Sequence, residues 1–142
     1  MFCLTKQGGN MAKAVKHTKE QISLEYPIKS SPKIIFNMLI SPSGLSEWFC
    51  DDANIRNKEF SFKWDGSVET AQLLTQKENV LLRLKWDADE EEGVFFEYRI
   101  EVDELTNDVA LIVTDFVEPD EKQSRILYWN NQIHKLMHAI GS

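Results

Sequence analysis

From Ile55 to Val117 the chain runs through short segments in which apolar and polar residues alternate; from Glu118 to Ile140 the period changes to that of a single amphipathic helix. A period of two marks strands with one buried face, and a period near 3.6 marks a helix with an apolar stripe. A helix of this length arriving after all the strands can cover a whole sheet face. The order therefore predicts an α+β domain: a curved antiparallel sheet of about six to seven strands with the last helix laid in its concave side.

The individual runs support this order. Phe60, Phe62 and Trp64 share one face, and Asp65-Gly66 then supplies the positive φ angles of a tight hairpin turn. Ser67 to Thr75 returns, Lys77-Glu78-Asn79 turns again, and Val80, Leu82, Leu84 and Trp86 line the next strand. After an acidic loop, Asp87 to Gly93, the residues Val94, Phe96, Tyr98, Ile100 and Val102 alternate with Phe95, Glu97, Arg99 and Glu101. The last strand, Val109 to Val117, is apolar on both faces. In the final helix Ile126, Trp129, Ile133, Leu136, Met137 and Ile140 recur every three or four residues, and Gly141 is a stop.

Upstream, Glu20 to Ile28 alternates and predicts a first strand, with Pro27 suiting an edge. Ser31 is an N-cap and Pro32 takes the first helical position, where its missing N–H is not needed. Ser41-Pro42 ends that short helix, and Ser43 to Phe49 forms a further turn closing on Trp48-Phe49. The predicted order is β-α-α followed by six strands and a helix, with no repeat or linker: one domain over residues 19–142.

Residues 1–18 are expected to be a disordered leader. Within it, Gln7-Gly8-Gly9 has codons that can contain AGGAGG, a bacterial ribosome-binding sequence, so Met11 is a candidate for the true start. The 142 residues, 42% of them hydrophobic, suffice for a real core, and no apolar run approaches the roughly 20 residues that span a membrane. MFCLTKQGG lacks the apolar stretch of a signal peptide, which predicts a cytoplasmic location and two free thiols, Cys3 and Cys50. A net charge of −7 repels phosphate backbones and anionic surfaces, so neither nucleic acid nor a membrane is an expected partner.

Three segments in order carry a resemblance: Ile28 to Phe36 (IKSSPKIIF), Leu45 and Trp48 in SGLSEWF, and WNNQIHKLMHAI from Trp129. Over Gln21 to Ile140 the chain resembles the START-like superfamily, also called helix-grip or birch-pollen-allergen-like. The branch it most resembles is the activator of heat-shock-protein-90 ATPase homologue group with its bacterial relatives. The resemblance implies a cavity between sheet and last helix. It also implies a choice among ligand carriers, cyclases, hormone receptors and co-chaperone domains, which the fold does not make.

The candidate ligand-binding residues are Trp48, Phe62, Trp64, Leu84, Trp86, Phe96, Tyr98, Trp129, Ile133 and Met137, the inward face of the sheet plus the helix stripe, with Trp48 near the mouth. The same aromatics can equally fill the interior. Tyr98 is nearly alone as a polar handle, while Arg83, Lys85, Glu97 and Arg99 alternate outward. Asp115 can share the face of Val113 or that of Thr114. His134 and His138 have the i, i+4 spacing of two metal ligands but no further ligand beside them, so no metal or cofactor is expected. The carboxylates of 87–92 lack the spacing of a calcium loop and suit a solvated hairpin tip.

The first reading is thus a non-catalytic domain holding a small hydrophobic or lipid-like ligand. The second is a protein-interaction module with a filled core and an exposed patch around Phe95. The third is a cyclase or hydrolase, which requires at least two titratable groups facing the pocket.

Overall fold

The structure, a computed structural model, describes residues 19–142. The expected leader at 1–18, with its alternative start at Met11, lies outside the described residues. The elements are β1 (Glu20–Ile28), α1 (Pro32–Ile40), α2 (Pro42–Trp48), β2 (Asp52–Arg56), β3 (Glu59–Trp64), β4 (Ser67–Lys77), β5 (Leu81–Trp86), β6 (Phe96–Val102), β7 (Val109–Val117), a 3-10 turn (Pro119–Glu121) and α3 (Lys122–Ala139). The strands form one open, curved antiparallel sheet in the order β1-β7-β6-β5-β4-β3-β2. Among the described residues no helix is long and apolar enough to cross a membrane.

The turn chemistry explains the register. Asp65 and Gly66 both take positive φ, 43° and 89°, so Trp64 pairs with Ser67 and, two steps back, Phe62 pairs with Glu69. In β4 the register shifts between Leu73 and Thr75, an irregularity of the kind that bends a long strand. Of the inward residues of β3, β5 and β6, Phe60, Phe62, Leu82, Leu84, Phe96, Tyr98 and Ile100 are buried, as the alternation predicts, while Trp64 and Trp86 are half-buried and Val102 is exposed at the strand end.

On the outer face Glu97 is also buried. The Arg83 Nη2 lies 2.6 Å from its Oε1, and the Arg99 Nε lies 3.5 Å from Oε2, so two long side chains cover it. Arg83 also sits 4.0 Å from the centre of the Phe95 ring, which packs edge-on against Phe116. The apolar patch expected at Phe95 is therefore roofed by a guanidinium.

Ser31 caps α1 as expected; Ser41, expected only to end that helix, also caps α2, which starts at Pro42 rather than at Ser43. Ser31 Oγ accepts from the Ile34 N–H at 3.2 Å, and Ser41 Oγ accepts from the Gly44 N–H at 3.0 Å. The last helix begins later than expected, because Pro119 opens a 3-10 turn and regular α geometry starts only at Lys122. It ends in a Schellman arrangement: Gly141 at φ 75°, with the Ser142 N–H reaching the Met137 carbonyl at 2.8 Å. Ser142 Oγ in turn accepts from the Lys29 N–H at 2.9 Å, pinning the helix end to β1.

Gly44 marks the close approach of α2 to α1. A Cβ there would lie 2.8 Å from the Met38 Cα and 2.7 Å from the capping Ser41 Oγ. Gly44→Ala is thus expected to destabilise the protein by about 1–3 kcal/mol, despite the roughly 1 kcal/mol that alanine gains in helix propensity. Urea denaturation measures the sign directly.

Candidate ligand-binding cleft

The centre of the concave face is occupied by rings. Tyr98, 1% exposed, is met edge-on by Trp48, Phe96 and Trp129 at centroid distances of 6.0, 6.0 and 5.8 Å. Among the described residues no group hydrogen-bonds its hydroxyl. Burial holds the phenol's pKa well above its ordinary value, with a smaller contribution from negative charge at Asp115.

Beside this group lies Phe49, which sequence reasoning did not single out. It touches Phe62 (4.9 Å), Trp48 (5.2 Å), Trp64 (5.4 Å) and Trp129 (6.2 Å, stacked). Phe49 caps α2 with helical dihedrals, and its N–H reaches the Leu45 carbonyl. Its own carbonyl accepts from the Trp64 indole at 2.7 Å and from the Gln132 amide at 3.1 Å. Trp48 is 3% exposed, and its indole N–H donates to the Met38 carbonyl at 2.9 Å.

An open cleft of about 590 Å³ remains at one end of the sheet, between the first half of α3 and the ends of β3, β4, β5 and β7. Its apolar walls are Phe49, Trp64, Trp86 and Trp129; Asp115 and Arg125 stand opposite. Of the ten predicted binding residues, Trp64, Trp86 and Trp129 line this cleft. Trp48 lines a neighbouring one of about 770 Å³, which shares Phe49, Trp64 and Tyr128 with the first. Phe62, Leu84, Phe96, Tyr98 and Ile133 belong to the buried core, with Met137 half-buried against it.

The inner side is less uniformly apolar than expected. The pairing of Tyr98 with Val113 turns Asp115, two residues on, inward as well. Its Oδ1 accepts from the Phe116 N–H at 2.8 Å, and its Oδ2 accepts from Arg125 Nη1 and from the Trp129 indole, both at 2.9 Å. Glu69 pairs with inward-facing Phe62 and reaches the cleft rim, as does Glu121. Tyr98 is thus one of several polar groups on this side, and the cleft holds more than two titratable groups. Their arrangement suits holding better than proton transfer: Asp115 is engaged by three donors, and Glu69 and Glu121 are exposed to solvent.

Cys50, in the neighbouring cleft, is buried; desolvation raises its thiol from near 9 to about 11. A raised folded-state value means that this group's stabilisation is complete below pH 9 and is lost as pH rises toward 11. Cys50→Ala is expected to flatten the fall in stability across that window, read by denaturation at successive pH values. His134 and His138 are exposed on α3, and among the described residues no group of three or more His, Cys, Asp or Glu is placed to hold a metal ion.

Comparison with known proteins places this geometry. The model of the START-like superfamily domain matches residues 16–142. The solution structure of BfR322 from Bacteroides fragilis is 31% identical with a TM-score of 0.64, covering 87% of this chain and 93% of that one. The Aha1 dimer from Colwellia psychrerythraea is 19% identical with a TM-score of 0.72, covering 84% and 95%. MLL2253 from Mesorhizobium loti is 16% identical with a TM-score of 0.70, covering 86% and 97%. No protein of curated function matches.

Proposed function

Because the chain belongs to the START-like superfamily, we propose that it is a cytoplasmic, non-catalytic binding domain for a small, flat, largely apolar ligand. The ligand is held in the cleft between the sheet and the first half of α3. The observation carrying this reading is the cleft itself: about 590 Å³, with three tryptophans and a phenylalanine on its walls, falls in the ~300–1,000 Å³ range of ligand sites. The tethering of Asp115 by three donors favours binding over acid–base chemistry.

The protein-partner reading draws on the same fold, since the Colwellia structure is a dimer. It is the weaker one here, because Arg83 covers the Phe95 and Phe116 pair that would form the patch. Native mass spectrometry of the protein from its own host is expected to show a mass excess released on denaturation, diminished in Trp64→Ala. Bare protein alone, together with no movement of the Trp64, Trp86 or Trp129 indole resonances under a panel of naphthalene probes, would defeat the proposal.

A further inference from the structure

We infer that the ligand of this cleft is an organic cation, a flat apolar body carrying a positively charged nitrogen. The inference rests on the binding reading above and gives that site its ligand class. Three carboxylates line the cleft, Glu69, Asp115 and Glu121, against the single guanidinium of Arg125. Arg125 is spent on Asp115 at 2.9 Å, and among the described residues no cation pairs with Glu69 or Glu121. Two negative charges are therefore left over at the rim, on a chain whose net charge of −7 adds a field of the same sign.

The apolar walls fit the same class. Indole faces attract ammonium groups electrostatically, as well as burying hydrocarbon. Trp64 and Trp86 are each half-buried, with ring centroids 6.2 Å apart, so part of each ring is open to a guest. Tyr128, on the same wall, has a raised pKa. Burial is the first cause; Arg125 and Gln132 lower it, and the carboxylates of Asp115 and Glu69 raise it by smaller amounts. The adjoining cleft keeps the sign, with Glu47 and Asp51 against Lys135. An anionic headgroup entering here would meet unpaired carboxylates.

Three matched probes test this on the full chain: trimethyl(2-naphthylmethyl)ammonium, 2-naphthylmethanol and 2-naphthylacetate. They are titrated while the indole N–H resonances of Trp64, Trp86 and Trp129 are followed by NMR. The ammonium is expected to bind about tenfold tighter than the alcohol, a gain within the range of desolvated cation–π contacts, with the acetate weakest. The preference is expected to shrink with added salt. Glu69→Gln combined with Glu121→Gln, both exposed positions, is expected to lower the ammonium-to-alcohol ratio to the part that the indole faces alone supply. Equal binding of all three by the parent, or a ratio that the double substitution leaves unchanged, overturns the cation assignment and leaves the binding reading standing. Silence of the indole resonances toward every probe overturns both.

Discussion

Replacing Phe49 by alanine is expected to lower the unfolding free energy by about 3–5 kcal/mol, the cost of deleting a fully packed phenylalanine, and at the same time to open the interior to a guest. Phe49 is 2% exposed and in ring contact with Trp48, Phe62, Trp64 and Trp129. It stands between the cleft and the core. Its deletion leaves a void lined by aromatic rings and continuous with both clefts, since Phe49 lines each of them. A space walled by aromatic rings suits a benzene-sized apolar molecule better than water, even where it joins an open cleft. Urea denaturation measures the stability loss, and a rise in midpoint with added benzene in the variant, absent from the parent, measures the opening. A loss under about 1 kcal/mol would mean that neighbouring rings collapse into the space. Phe49 would then not be what fills the centre of the fold.

Phe49 also shows where sequence reasoning stops. Alternation assigned Phe62, Leu84, Phe96 and Tyr98 to the inner face, because strand geometry fixes side-chain direction residue by residue. Ser31-Pro32 and Asp65-Gly66 were equally legible, since each depends on local φ and hydrogen bonding. Phe49 lies just past the end of α2, where no period applies. Its ring direction follows from cap dihedrals that are held by Trp64 and Gln132, residues far along the chain. The face of Asp115 was illegible for another reason: β7 is apolar on both sides, so its parity is set by pairing with its neighbours β6 and β1. Glu69 carried a usable signal. A two-residue turn at Asp65-Gly66 pairs 64 with 67 and hence 62 with 69, which places a carboxylate on the aromatic face. The burial of outward-facing Glu97 could not be read from alternation, because its cover comes from the arginines around it.

Those inward polar groups make Trp129 the residue where fold and site are joined most closely. It is 3% exposed, stacks on Phe49, meets Tyr98 and Tyr128 edge-on, and donates its indole N–H to Asp115 at 2.9 Å. Trp129→Ala removes both contributions and is expected to cost about 3–5 kcal/mol and to abolish probe binding in the cleft. Trp129→Phe separates them, since a ring remains against Phe49 while the buried carboxylate loses one of its donors. Its expected cost is about 1–3 kcal/mol, the penalty for leaving a buried acceptor short of a partner. If that penalty arises at Asp115, the cost of Trp129→Phe should change when Asp115 is already Asn, giving a coupling of at least about 0.5 kcal/mol in a double-mutant cycle. Additive costs would place the effect of Trp129→Phe in packing alone. The indole would then serve as a wall of the cleft, and Arg125 with the Phe116 N–H would suffice to hold the carboxylate.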